Sequence, residues 1–129
     1  MRVLLVPGEA AELDAVEAWT ELGRAADPSR TLRAVSHTRA PYALRSSRWD
    51  LVLCDLASGE SDALELVRTA RAQGAPVPFV LIEPATGSTL RDAFRAESGT
   101  VLLARAGLAP EGIARAVAQA TRRPARQLR

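Results

Sequence analysis

The order of apolar and amphipathic segments predicts an α/β fold, a doubly wound parallel sheet of five strands with five helices. Three observations point there. The runs RVLLV, DLVLCDL and PVPFVLIE are short and nearly continuously apolar, as strands buried on both faces are. Stretches with helical periodicity separate the runs, which is the pattern of right-handed strand–helix–strand crossovers. The chain has 129 residues, 47% of them apolar and 25% charged, a size and balance that suit one globular domain.

Arg2–Val6 is the first strand, ended by Pro7 and Gly8. Residues 9 to about 25 form a helix, with Leu13, Val16, Thr20 and Gly23 on one face and Trp19 beside it. Glu9, Glu12 and Asp14 suit the positive end of its dipole. Residues 31–36 alternate like a second strand, and residues 37–48 form a weaker helix with Pro41 near its first turn. Residues 50–56 are a buried strand, followed by the loop ASGES. Residues 62–73 are an amphipathic helix closed by Gly74. Residues 76–83 form the fourth strand, 87–98 a helix and 100–104 the fifth strand. Pro110 starts the last helix, whose apolar face is Ile113, Ala116, Val117 and Ala120.

Composition removes several classes. The single cysteine, Cys54, excludes an internal disulfide and fits a reducing compartment; inside a strand it reads as a small hydrophobe. No apolar run reaches the ~18 residues of a membrane span, and the N-terminus lacks the pattern of a signal peptide, so a cytoplasmic location is expected. All 17 basic residues are arginine, so chemistry that needs a lysine has no residue to perform it. Residues 121–129 hold four of the arginines and no acid, leaving a mildly acidic body. Residues 122–129 read as an Arg-rich tail or linker start after a domain of residues 1–121, and nucleic-acid binding through the domain is not expected. His37 has no second His or Cys near it and is placed at a surface strand end, and Trp19 and Trp49 read as half-buried packing residues.

In a sheet of this kind the functional crevice lies beyond the carboxyl ends of the strands. The residues there are Pro7, Gly8 and Glu9, then Asp55, Glu83 and Arg105. Around them the chain resembles a receiver domain of bacterial two-component response regulators, over about residues 1–121. The likeness is carried by RVLLV, by WDLVLCDLASGESDALELVRTAR, and by PVPFVLIE and VLLARAGLAPEGIARAV. It implies a flavodoxin-like sheet in the order 2-1-3-4-5, with Asp55 on the phosphoacceptor position.

The other receiver positions depart from the family pattern. The pair of acids that holds Mg²⁺ is replaced by Pro7 and Gly8, with Glu9 just beyond. The hydroxyl residue after the fourth strand is Glu83, which would repel a phosphoryl group. The aromatic switch residue is Leu102, and the lysine is Arg105. The resemblance therefore implies a pseudo-receiver, not an enzyme and without the family's Mg²⁺, with Asp55 unused and paired to Arg105 in an Asp55–Arg105–Glu83 cluster. Such a module acts by binding a protein partner or an output domain of a longer regulator, or by dimerising. The face over residues 88–123 would serve, with Arg91, Asp92, Arg95, Glu97, Glu111, Arg115 and Gln119 exposed. The alternative is an atypical working phosphorelay receiver, phosphorylated on Asp55.

Overall fold

The computed structural model describes residues 1–7 and 14–122. Within them β1 (Arg2–Val6), β2 (Thr31–Ala34), β3 (Leu51–Asp55), β4 (Phe79–Ile82) and β5 (Thr100–Leu103) form one sheet in the order β2–β1–β3–β4–β5. Every pairing is parallel. Helices α1 (Asp14–Ala26) and α5 (Pro110–Arg122) cover one face, and α2 (Ala40–Ser46), α3 (Glu60–Ala72) and α4 (Arg91–Ala96) the other. The expected fold class, strand order and number of elements are all present.

Alternation along the strands divides the core. Leu4, Val6, Val52, Cys54, Phe79 and Leu81 point toward α2, α3 and α4, and Val3, Leu5, Leu51, Leu53 and Val80 toward α1 and α5. Each such side chain, fully buried, contributes about 1.5–3 kcal/mol of transfer free energy. Val16, Trp19 and Thr20 are the buried stripe of α1, and Ile113, Ala116, Val117 and Ala120 belong to that of α5. No helix among the described residues is long and apolar enough to cross a membrane.

Several expected boundaries move, each for a local reason. The fourth strand shrinks from residues 76–83 to Phe79–Ile82, because Pro76 and Pro78 have no amide to donate. The second helix shrinks from residues 37–48 to Ala40–Ser46, because the carbonyl of Ser36 takes the amides of Arg39 and Ala40 in a turn. The segment ASGES is not a plain loop: a 3₁₀ turn (Leu56–Ser58) and the start of α3 at Glu60 occupy it. The largest change is at residues 87–98, where only Arg91–Ala96 is helical. Gly87 has φ +83°, outside the helical region, and side-chain carboxylates take the amides of Ser88 and Thr89. Arg122, expected in the tail, is the last residue of α5.

Trp19 and Trp49 are buried rather than half-buried: each belongs to one of the two halves of the core, and an arginine guanidinium lies over its ring. Arg30 stands 4.4 Å from the Trp19 ring centre and Arg2 stands 4.6 Å from that of Trp49. The Trp49 indole N–H donates to the carbonyl of Ala43 at 2.9 Å. Arg71 crosses the Phe79 ring and donates to the carbonyls of Ala75, Ser98 and Gly99, tying α3 to the turn before β5. Cys54 is fully buried, and burial, with the neighbouring Asp55, pushes its thiol pKa up to about 12. It stays a neutral, unreactive core residue.

Gly112 sits where the first turn of α5 crosses the 3₁₀ turn after β5. A Cβ there would lie 1.9 Å from the carbonyl oxygen of Gly107, a backbone atom that cannot swing away. Two effects of opposite sign meet at this position. Helix propensity favours Gly112→Ala by roughly 1 kcal/mol, while forced overpacking costs about 1–3 kcal/mol or more. The contact distance makes the second win, so G112A is expected to lower the denaturant midpoint, whereas Gln119→Ala on the exposed side of α5 leaves it nearly unchanged. A G112A protein as stable as the parent would show that this crossing is looser than the geometry states.

Candidate functional site

Parallel strands place the ends of β1, β3, β4 and β5 at one edge. Pro7 follows β1 there and is half-buried, while Gly8 and Glu9 lie outside the described residues. Asp55 is the last residue of β3 and is 7% exposed. Its Oδ1 accepts from the amide of Ala57 at 2.9 Å, which opens the Leu56–Ser58 turn, and from Nη2 of Arg105 at 2.5 Å. Arg105 begins the 3₁₀ turn after β5 (Arg105–Gly107) and also donates through Nε to the main-chain carbonyl of Glu83, at 3.2 Å. One guanidinium therefore joins the ends of β3, β4 and β5.

Glu83 follows β4 directly and is 8% exposed. Its Oε2 accepts from Nη2 of Arg91 at 2.6 Å and from the amide of Ser88 at 3.2 Å. Glu60, the first residue of α3, reaches the same loop from the other side. It accepts from the Ser88 hydroxyl, from the Thr89 hydroxyl at 2.9 Å and from the Thr89 amide at 3.4 Å. Burial pushes the Glu60 carboxyl up, but the donors of Ser88 and Thr89 outweigh it and hold the group below its ordinary range. Two carboxylates thus grip the β4–α4 loop.

The expected Asp55–Arg105–Glu83 cluster takes a different form. Asp55 and Arg105 are an ion pair, but Arg105 meets Glu83 at its main chain, and the Glu83 carboxylate is taken up by Arg91. Arg91, expected on the interaction face, turns its guanidinium into the site. Glu97, expected exposed on that face, is half-buried and pairs with Arg68 of α3 at 3.1 Å. Asp92, Arg95, Glu111, Arg115 and Gln119 are exposed. Leu102 lies half-buried in β5, against the core beneath α2, α3 and α4. His37 is not at a strand end but half-buried in the turn between β2 and α2.

Sequence reasoning missed Glu60, Ser88 and Thr89. Glu60 falls in the segment ASGES, expected as a loop, and only the fold shows that it starts α3 and spans to another loop.

The described donors by themselves do not make up the several oxygen ligands in octahedral geometry that a Mg²⁺ ion asks for. Among the described residues no three His, Cys, Asp or Glu side chains converge, Pro7 offers no side-chain oxygen, and a guanidinium already sits on Oδ1 of Asp55. What the arrangement does chemically is compensate buried carboxylates with fixed guanidinium groups.

No protein-family model matches the chain, and no curated protein matches it. Among solved structures it is similar to the receiver domain of the Francisella response regulator 1452, at 13% identity and a TM-score of 0.57. The match covers 94% of this chain and 96% of that one. At that identity the likeness is one of architecture, and the fold of this chain is that of a receiver domain.

Proposed function

We propose that the chain is a signalling module, a pseudo-receiver that works by contact with a protein partner, with an output domain or with a second copy, and not by Mg²⁺-dependent phosphorylation. The observation that carries this reading is the Arg105 guanidinium on Oδ1 of Asp55. Phosphoryl transfer to a carboxylate asks the protein to position the donor and neutralise its charge, with a metal doing much of the latter. Here the cation beside Asp55 is a side chain anchored at both ends, and the residue after β4 is a carboxylate in place of a hydroxyl. The module needs no cofactor and performs no catalysis, and it operates in the cytoplasm. Its contact face is the exposed surface of α4, β5 and α5, with Asp92, Arg95, Glu111, Arg115 and Gln119 supplying charge pattern.

The grip of Glu60 and Glu83 on residues 88–91 belongs to this reading, because it presents α4 in one position without a switching event.

Two outcomes are expected. Incubation with acetyl phosphate and Mg²⁺ leaves the intact mass unchanged, under conditions where an ordinary receiver gains one phosphoryl group. A gain that vanishes in Asp55→Asn would instead make Asp55 a working phosphoacceptor. The second outcome concerns acid. A carboxyl held below its ordinary pKa stabilises the folded state above that ordinary value, and the contribution is lost as pH falls through the lowered one. Glu60 is such a group, with an ordinary value of 4.5, so its grip weakens only below about pH 4.5. Amide exchange at Thr89 is therefore expected to accelerate in Glu60→Gln at neutral pH, and in the parent only on acidification. Equal protection of Thr89 in both proteins at neutral pH would show that Glu60 does not hold the loop.

A further inference from the structure

The edge of the sheet at β2 and α2 has a charge pattern that the site above does not use. Residues 22–49 contain six arginines and one acid, Asp27, while residues 9–21 contain five acids and no base. A small net charge thus conceals two neighbouring segments of opposite charge. Two of the six arginines are committed internally: Arg24 pairs with Glu21, and Arg30 lies on Trp19. The guanidinium groups of Arg33, Arg39, Arg45 and Arg48 are exposed and make no ion pair or hydrogen bond among the described residues.

Two of them, Arg33 and Arg39, flank an aromatic ring, that of Tyr42. Arg33 lies opposite Leu4 in the β1–β2 register, so its side chain leaves the sheet on the α2 side. On α2 and its N-cap, Arg39, Tyr42 and Ser46 follow one another at helical spacing along one stripe. Together with Val35 and Ser36 they line an open groove of about 380 Å³. Tyr42 is 68% exposed, one of two large hydrophobic side chains left so open among the described residues. Burial does not explain it, since the buried residues of this helix are Ala40 and Ala43.

We propose that this edge binds single-stranded nucleic acid, with guanidinium groups on the phosphates and the Tyr42 ring stacking on a base. Basic groups along a groove with an exposed aromatic between them are what an unpaired strand requires, since each nucleotide brings one phosphate and one π-face. A duplex fits less well: α2 is a seven-residue helix packed on the sheet, with no free length to enter a major groove. An acidic peptide would use the arginines and leave Tyr42 without a role. The proposed contact draws on none of the four arginines of residues 122–129.

The test is fluorescence anisotropy of the full chain with labelled oligo-uridine RNA and with a mixed-sequence DNA single strand. Binding is expected at low salt. Raising salt from about 50 to about 200 mM should weaken it roughly sevenfold, with the two phosphates met by Arg33 and Arg39 each contributing about −0.7 to the logarithmic slope. Tyr42→Ala should weaken it at least about fivefold, the lower end of the stacking range, and Arg33→Glu with Arg39→Glu should remove it. All three side chains are exposed, so the variants are expected to keep the parent's circular dichroism and melting temperature. Replacing Arg122, Arg123, Arg126 and Arg129 by Gln should leave most of the affinity. No binding at low salt, or binding that follows the tail instead of Arg33 and Arg39, would overturn the proposal. So would competition by poly-glutamate with no effect of Tyr42→Ala, which would make the surface a site for an acidic protein.

Discussion

Burial of β3 on both faces is the constraint from which the rest of the molecule follows. All five residues from Leu51 to Asp55 are buried, with β1 on one side and β4 on the other. A strand with no solvent face must be covered by helices above and below, and covering it with short connections forces the neighbours to run parallel. Parallel running then collects the strand ends at one edge. Because the last residue of this strand is an aspartate, that edge also contains a carboxylate removed from water, and a buried charge must find a partner.

Arg105 answers that need, and its placement shows how backbone and charge are coupled. The turn carrying Arg105 is held by its own amide bonds and by the close passage of Gly112 over Gly107. The guanidinium is thus brought to Asp55 already oriented, losing less side-chain freedom than a mobile arginine would. Removing one partner of a fully buried pair costs about 3–5 kcal/mol, and somewhat less here because the Arg105 side chain keeps 16% of its exposure. The second pair, Glu83 with Arg91, works alike but holds a loop instead of a strand end.

The elements that were legible in the sequence are those governed by averages over many side chains. The buried runs RVLLV and DLVLCDL could be nothing but interior strands, and the stripe Ile113, Ala116, Val117, Ala120 could only face a core. The positions of Asp55, Glu83 and Arg105 at one edge followed from strand ends alone. Which guanidinium meets which carboxylate did not follow, since Arg91 and Arg105 both stand within reach of the edge and only the path of residues 84–90 decides between them. The helix expected over residues 87–98 failed for the same reason. Its propensity is adequate, but Glu60, distant in the chain, and Glu83, at the end of β4, satisfy Ser88 and Thr89 more directly than another helical turn would.

That division also explains how a chain at 13% identity keeps a receiver's architecture. The fold needs only that strand positions remain apolar and β-favouring, a condition many sequences meet, whereas a phosphoryl site needs particular oxygens at particular places. The arginine-only basic set sharpens the contrast. A planar, permanently charged fork can cover an aromatic ring, as Arg2, Arg30 and Arg71 do, or clasp a carboxylate, as Arg91 and Arg105 do. At the strand-end edge the same rigid fork is set on a buried carboxylate twice, Arg105 on Asp55 and Arg91 on Glu83, so each of these acids is met by a permanent cation that the fold itself supplies.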